Sequence, residues 1–96
     1  MARSPLPTDR INARLAELDG WTLADGKLTK RFVFTDFVAA FGFMSKCALV
    51  AEKLDHHPDW SNVWNKVDVT LWTHDAGGLT DKDFELASKM DAFSRS

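Results

Sequence analysis

Two segments with an apolar residue at every second position lie on either side of one long segment with helical spacing. In the first, Leu28, Phe32 and Phe34 recur with period two. The dipeptide Asp25-Gly26 precedes them, and both residues tolerate the positive φ that a two-residue hairpin turn requires. We therefore expect a first hairpin in which residues 21–23 pair with residues 27–34.

A second hairpin is predicted after the long helical segment, because apolar and polar residues alternate there again. Its first strand would include residues 63–64, and residues 65–66 would form the link. The second strand would carry alternating side chains, with Val67, Val69 and Leu71 on one face and Asp68, Thr70 and Trp72 on the other. His74 is then expected on the same side as Trp72.

Helical spacing also marks both ends of the chain. A first helix is predicted from Thr8 to just before Gly20, with the apolar positions Ile11, Leu15 and Leu18. Near the other end, Thr80 and Asp83 have the spacing of a capping box, which is typical of a helix start. The apolar positions that follow are Phe84, Ala87, Met90 and Phe93.

The longest helix is predicted between the hairpins, from Asp36 to about Leu54. Its apolar stripe is expected to consist of Phe37, Phe41, Met44, Ala48 and Ala51. Gly42 lies within this helix, where glycine costs about 1 kcal/mol relative to alanine. We expect such a glycine where another backbone or ring approaches the helix closely.

The order of these segments, α-β-β-α-β-β-α, predicts an α+β fold with three helices packed on one face of a four-stranded antiparallel sheet. Residues 1–7 are expected to form a flexible N-terminal lead-in and residues 8–96 a single domain. A chain of 96 residues buries only a modest core, and an open sheet leaves two unpaired edges. We therefore expect a homo-oligomer.

Charge and composition argue against nucleic-acid and membrane partners. The net charge is -2, and acidic and basic residues are interspersed along the whole chain. Residues 1–7 contain no apolar run, so neither a signal peptide nor a membrane anchor is predicted. The one cysteine, Cys47, lies in an apolar segment and is expected to be a buried residue of a protein in a reducing compartment, the cytoplasm.

The three histidines, His56, His57 and His74, all fall at the ends of predicted elements. Imidazole exchanges protons readily near neutral pH, because its ordinary pKa is about 6.5. Several imidazoles together indicate proton transfer. Two alternatives remain open on spacing alone: a polar helix terminus, or a metal site, although the spacing matches no common zinc motif. Further ligands for a metal would be Asp55, Asp75 and Glu52.

Residues 52–60 (EKLDHHPDW), 62–67 (NVWNKV) and 73–74 (TH) form a specific pattern around these histidines. This pattern closely resembles the pterin-4a-carbinolamine dehydratase family. The spacing from the paired histidines to His74 and on to Asp83 is kept as well. The resemblance covers about residues 20 to 93 and includes Phe32, Phe34, residues 36–37, residues 40–44 (AFGFM) and residues 78–88.

The resemblance implies roles for individual residues. His56, His57 and His74 match the family's three active-site histidines, and Asp83 matches an acidic residue beside them. Glu52 is placed one helical turn before His56, on which it could act electrostatically. The stretches that line the family's pterin pocket correspond here to Asp55, Trp72, Thr73 and Asp75. Two further aromatic residues, Trp21 and Trp60, could stack on the pterin but are favoured as core.

Three positions depart from the family's pattern. Trp64 stands where tyrosine is also found, and Asp75 stands where the animal members have glutamate. Trp72 replaces a small polar residue of the animal members. We expect Trp72 to alter the pocket wall or a subunit contact, and with it the preferred pterin side chain.

The activity implied by the resemblance is dehydration of a 4a-hydroxytetrahydropterin to quinonoid dihydropterin and water, in pterin recycling for an aromatic amino acid hydroxylase. Hydroxide leaves C4a poorly unless it is protonated while N5 loses its proton, so a hydro-lyase of this kind needs an acid and a base. His56 and His74 are expected to be that pair, with His57 holding the substrate. Asp83 could orient a histidine, complete the capping box, or both.

No metal and no cofactor are expected for this reaction, and the family likeness implies a tetramer. A second function comes from the same resemblance, because animal members also serve as a dimerisation cofactor of a transcription factor. That function is not catalytic and uses a helical surface. The sequence therefore predicts an enzyme, with a protein-binding cofactor as the alternative.

Overall fold

The computed structural model describes residues 4–95, in which the elements follow the order α-β-β-α-β-β-α. The helices are α1 (Thr8–Leu15), α2 (Phe37–Leu54) and α3 (Asp81–Ser94), and the strands are β1 (Thr22–Ala24), β2 (Lys27–Val33), β3 (Asp59–Val63) and β4 (Lys66–Leu71). The strands form one antiparallel sheet in the order β1-β2-β4-β3. The predicted α+β class is confirmed.

The first hairpin has the predicted turn. Asp25 and Gly26 both adopt positive φ, at 52° and 73°. This conformation pairs Leu23 with Leu28 and Thr22 with Thr29 across the two strands. The alternation of β2 then places Leu28, Lys30 and Phe32 on the core side and Thr29 and Arg31 on the open face of the sheet.

The second hairpin turns one residue earlier than predicted. Val63 pairs with Lys66, so the turn consists of Trp64 and Asn65 rather than residues 65–66. Asn65 holds this turn beside β2, because its carbonyl oxygen accepts from the backbone N–H of Phe34 and its Nδ2 donates to the Phe34 oxygen, both at 2.9 Å. β3 also begins at Asp59, so the predicted loop after the long helix is short.

The predicted apolar stripe of α2 is confirmed at Ala51 and Met44, which lie in or against the core, and is wrong at its other three positions. Phe37 and Phe41 are 50% and 56% exposed, and Ala48 is exposed too. The buried side chains are Ala40, Phe43, Cys47 and Ala51. Because α2 is apolar around most of its circumference, its own pattern does not select a face. The face is selected by packing, since the ring of Phe43 lies against Phe32 and Phe34 with centroids 4.7 and 4.9 Å apart.

The helix starts follow the predicted capping chemistry at two of three positions. The Asp36 side chain accepts from the Ala39 N–H at 2.8 Å, and Thr80 and Asp83 complete a capping box at the start of α3. The remaining helix is α1, which is shorter than predicted and ends at Leu15. Residues 1–3 of the predicted lead-in lie outside the described residues, and the Leu6 N–H donates to the Leu79 oxygen.

Trp21 and Trp60 belong to the core or its edge, as favoured from the sequence. The indole N–H of Trp21 donates to the Asp91 carboxylate at 2.9 Å, and the same oxygen accepts from the Lys30 ammonium at 2.8 Å. Asp91 is only 4% exposed, so this ion pair joins α3 to β2 below the surface.

Within residues 4–95, no helix is both long and apolar enough to cross a membrane.

Asp91→Ala is expected to destabilise the fold by about 3 kcal/mol, because it leaves a largely buried ammonium without its carboxylate. Unfolding in urea, followed by tryptophan fluorescence at fixed protein concentration, measures the change. Asp68→Asn is the matched control, since its partner Arg31 is exposed and surface ion pairs contribute little. Equal effects of the two variants would contradict the assignment.

Burial raises the pKa of the Cys47 thiol to about 12, which disfavours the reactive thiolate in the folded protein. Because the thiol ionises more easily in the unfolded chain, its full contribution to stability is present below the unfolded pKa and is lost as the pH rises from there through the folded pKa of about 12. At mildly alkaline pH we expect iodoacetamide to label Cys47 only through unfolding, so that the labelling rate rises with urea. Rapid labelling of the native protein, measured by mass spectrometry, would refute this expectation.

Candidate active site

The structure brings the three histidines to one cavity of about 610 Å³, a volume within the usual range for small-molecule sites. The cavity lies where α2 ends and where β4 ends, so two chain segments that are distant in sequence form its walls. Seven of the nine predicted site residues line it. The complete lining is Asp55, His56, His57, Pro58, Asp59, Trp72, Thr73, His74 and Asp75. The other two predicted residues, Glu52 and Asp83, bind the rings of lining histidines.

The end of α2 sets the first wall. Asp55 adopts the left-handed conformation, with φ 52° and ψ 44°, and so ends the helix in the place where glycine is most common. The His56 N–H donates to the Ala51 oxygen at 3.0 Å, which closes this terminus. The Lys82 ammonium donates to the Leu54 oxygen at 2.9 Å and thereby fixes the terminus to α3.

The end of β4 sets the second wall. After Leu71 the chain forms one bridge, between Thr73 and Gly78, and residues 74–76 between them make a single turn of 3-10 helix. His74 therefore begins a helical turn. Its ring lies 4.3 Å from the Trp72 ring, centroid to centroid, which confirms that these two side chains share a side.

Asp83 is the buried anchor of the site. Its side chain is fully buried, and His56 Nε2 lies 2.5 Å from its Oδ1. Its Oδ2 accepts from the Thr73 hydroxyl at 2.8 Å and from the Thr80 N–H at 2.9 Å. Both roles considered for Asp83 are therefore present, because one carboxylate completes the capping box and also holds His56.

His56 is thus the histidine with the most restricted ring. Asp83 Oδ2 accepts from both Thr73 and Thr80, as an ionised carboxylate does. Because an ionised carboxylate only accepts hydrogen bonds, we infer that His56 Nε2 is the donor to Asp83 Oδ1. Nδ1 is then the ring nitrogen that Asp83 does not occupy. An acidic partner of this kind fixes both the tautomer and the orientation of an imidazole.

His57 and His74 have more exposed rings. His57 Nε2 lies 2.7 Å from Glu52 Oε1, so Glu52 contacts His57 rather than His56. Both side chains of that pair are well exposed. Within residues 4–95, His74 contacts the Trp72 ring and its ring nitrogens have no hydrogen-bond partner. The three imidazoles therefore differ in environment, from buried and anchored to exposed.

Sequence reasoning missed Lys27. Its ammonium lies 4.1 Å from the centre of the ring of Trp72, a residue that lines the cavity. The pairing of Leu28 with Leu71 places Lys27 beside Trp72 on the neighbouring strand. Finding Lys27 requires the register between β2 and β4, which the sequence pattern does not reveal.

The carboxylates and imidazoles of the site do not converge as metal ligands do. Within residues 4–95, no group of three His, Cys, Asp or Glu side chains has an arrangement that could hold a metal ion. His56 and His57 instead direct their Nε2 atoms to two different carboxylates, Asp83 and Glu52.

Comparison with known proteins identifies the family of this chain. The sequence profile of the family described as pterin 4 alpha carbinolamine dehydratase matches residues 4–93. The chain belongs to this family. The resemblance carried by residues 52–60 and by His74 is thereby confirmed.

Relatives within the pterin carbinolamine dehydratase family match almost end to end. A protein of Chelativorans sp. (strain BNC1), provisionally named a pterin-4-alpha-carbinolamine dehydratase, is 56% identical over 96 residues, which is 98% of each chain. A crystal structure from Brucella Melitensis, described as a transcriptional coactivator/pterin dehydratase, has a TM-score of 0.92 at 48% identity and covers 95% of this chain and 99% of that one.

A more distant structure shows that the pterin dehydratase fold also occurs with another described role. It is a pterin dehydratase-like protein described as a RuBisCO assembly factor in the alpha-carboxysome. Its TM-score is 0.69 at 26% identity, and the match covers 81% of this chain and 93% of that one. Family membership therefore supports a dehydratase.

Asp55 offers a test of the helix end in this family member. A side chain with a Cβ costs about 1 kcal/mol in the left-handed conformation, and glycine avoids that cost. Asp55→Gly should therefore unfold at an equal or higher urea concentration than the wild type, whereas Asp55→Ala should be less stable than Asp55→Gly. Equal unfolding midpoints for the two variants would show that the conformation carries no strain.

Proposed function

We propose that this protein dehydrates 4a-hydroxytetrahydropterins to quinonoid dihydropterin and water by histidine general acid and base catalysis. The observation that carries the proposal is that His56, His57 and His74 line one cavity. The buried carboxylate of Asp83 holds the ring of His56. The ring nitrogens of His74 have no hydrogen-bond partner within residues 4–95. This combination suits transfer of two protons at adjacent atoms of one substrate.

The reaction requires an acid for the departing hydroxyl and a base for N5. Loss of hydroxide from C4a becomes easy only when the oxygen is protonated as it leaves, and the electron pair of N5 then forms the new double bond to C4a as the N5 proton is removed. His56 and His74 are the proposed pair. They exchange roles for the two C4a stereoisomers, since the hydroxyl is on opposite faces of the ring in the two.

Asp83 determines how His56 takes part. Because Nε2 donates to Asp83, proton exchange with the substrate uses Nδ1. The carboxylate also stabilises the imidazolium that forms when His56 accepts a proton, as buried acidic partners of catalytic histidines do. Asp83 is therefore a positioning residue, which acts on the substrate through His56.

The remaining lining residues are proposed to bind the pterin. Its pyrimidine ring presents an amino group and an N3–H, which a carboxylate such as Asp55 accepts well. His57, paired with Glu52 at the cavity rim, holds the substrate rather than exchanging its protons. The proposed binding set also includes Trp72, Thr73 and Asp75, which line the same cavity.

The proposal places the reaction in the cytoplasm and in pterin recycling for an aromatic amino acid hydroxylase. The name of the family supports a pterin substrate. Cys47, the one thiol of the chain, is unpaired and buried, which fits a reducing compartment. The hydroxylase is proposed because such enzymes release the carbinolamine on which this reaction acts.

His56→Ala and His74→Ala test the proposed roles directly. Each is expected to lower kcat/KM by about 10²- to 10⁴-fold, because each removes one proton transfer. His57→Ala should act mainly through KM. The carbinolamine is generated chemically, and its dehydration is followed by ultraviolet absorbance above the uncatalysed rate. Wild-type rates in both His56→Ala and His74→Ala would refute the acid and base assignment.

The outward face of α2 supports a homo-oligomer. This face carries exposed apolar side chains, Phe37, Val38, Phe41 and Leu49, whereas its opposite face is in the core. A helix that is apolar all round is normally buried on all sides. Gly42 fits this arrangement, because among residues 4–95 no atom outside its own stretch of helix lies within 4 Å of a Cβ built there. The close approach predicted at Gly42 is thus not made by the described part of the chain and is proposed between subunits.

The same face is the observation that favours the second candidate function, binding of a helical protein partner. The Brucella protein is described as a coactivator as well as a dehydratase, and the carboxysome relative as an assembly factor. An apolar helix face can bind a second copy or a foreign helix by the same packing. Catalysis remains the first proposal, because the cavity contains the acid and base that it needs.

Phe41→Glu is expected to separate assembly from folding. A carboxylate in an apolar interface carries a large desolvation cost, so the variant should shift towards monomer in light scattering after size exclusion. Lys89→Glu, an exposed change on α3, is the control and should keep the wild-type mass. A wild type that is already monomeric at high concentration would contradict the homo-oligomer.

A further inference from the structure

Trp72 is shared by two cavities. It lines the histidine cavity, and it also lines a second cleft of about 240 Å³ beside the tip of the first hairpin. The walls of that cleft are residues 25–27 and residues 77–79, with Pro5 and Ile11. A molecule bound at the histidines could therefore extend past Trp72 into a second space.

The position of Lys27 gives this cleft a chemical preference. Its ammonium lies 4.1 Å from the centre of the Trp72 ring, a cation-π contact. Within residues 4–95 this ammonium makes no hydrogen bond and no ion pair, so its three N–H donors are available to a ligand. Asp25 lines the same cleft at the hairpin tip without pairing with Lys27. The Lys27 ammonium is therefore available to donate hydrogen bonds to an anionic group of a ligand.

The histidine cavity has the opposite preference. Asp55 and Asp59 line it, and neither has a cationic partner among the described residues. An anionic group on the substrate is repelled by these carboxylates and attracted towards Lys27. Charge alone therefore directs such a group from the first cavity to the second.

The chemistry of the pterin connects the two cavities. This step depends on the proposed function, in which C4a and N5 react beside His56 and His74. C6 is bonded to N5, so a substituent at C6 begins next to the reacting atoms. The ring of His74 lies 4.3 Å from that of Trp72, and Lys27 lies over the same indole. Trp72, which contacts both His74 and Lys27, therefore links the reacting atoms to this ammonium along the direction that a C6 substituent would take.

We propose that Trp72 and Lys27 form a subsite for an anionic C6 substituent of the pterin, a carboxylate or a phosphate. Trp72 packs against the chain that leads to the anion, and Lys27 donates to the anion itself. Lys27 is a specificity-determining residue and takes no part in the proton transfers.

The experiment compares carbinolamines that bear a methyl group, a carboxylate-ended chain or a phosphate-ended chain at C6. The readout is the ratio of KM for each anionic substrate to KM for the methyl substrate. Lys27→Gln should raise this ratio about fivefold to tenfold, because it removes a charge-assisted hydrogen bond at a partly exposed site. Lys27→Arg should largely restore the wild-type ratio, and Asp25→Asn should lower it.

Lys89→Gln is the matched control, since it removes an exposed lysine far along the chain on α3 and should leave the ratio unchanged. The two anionic arms show which anion fits better, and added salt should weaken both. An unchanged ratio in Lys27→Gln, or an equal rise in KM for the methyl substrate, would overturn the subsite.

Equilibrium binding separates failure of the subsite from failure of the proposed function. The oxidised pterins with the same three substituents are titrated into wild type and Lys27→Gln, and their fluorescence is followed. Weaker binding of the anionic pterins alone to Lys27→Gln supports the subsite even if no carbinolamine turns over. Equal affinities of both proteins for all three ligands would overturn it, whatever the turnover.

Discussion

A fully buried carboxylate needs hydrogen bonds on both oxygens, and the way Asp83 obtains them determines where the walls of the cavity lie. One oxygen is hydrogen-bonded to His56 at the end of α2. The other oxygen accepts from the Thr73 hydroxyl at the end of β4 and from the N–H of Thr80 at the start of α3. Three chain segments are thereby joined at one side chain. None of them can move without leaving a buried charge unsatisfied, which is expensive in free energy.

The proposed chemistry uses this rigidity. General acid and base catalysis requires each proton donor or acceptor to be held close to its target, and residues held by buried neighbours meet that condition better than residues on loose loops. His56 is anchored in this way, whereas His57 and His74 lie at the exposed rim. Lys82 donates a hydrogen bond to the last carbonyl of α2 and so also fixes the end of this helix next to His56. Anchored and exposed histidines around one cavity suit a reaction that needs a fixed catalyst and an accessible substrate.

Local chemistry was sufficient to predict much of the fold. The Asp25-Gly26 turn and the capping box at Thr80 depend on neighbours in sequence, and both occur as expected. The phase of α2 was mispredicted, because that helix is apolar on nearly every side and tertiary packing against Phe32 and Phe34 selects the buried face. The proximity of Lys27 to Trp72 was not predicted either, because it depends on strand register, which pairs residues that are distant in sequence. For the site, residue types and family likeness indicated the histidines, and the distance from His56 to Asp83 required the folded chain.

The central claim is that a pterin ring binds between the end of α2 and the end of β4, which Asp83 joins, with its C4a and N5 facing His56 and His74. A crystal structure of the protein with an unreactive dihydropterin tests this claim most directly. The account predicts the bicyclic ring within the cavity lined by residues 55–59 and 72–75, with His56 Nδ1 or a His74 ring nitrogen within hydrogen-bond reach of N5. A ring bound elsewhere, or none at saturating concentration, would contradict it.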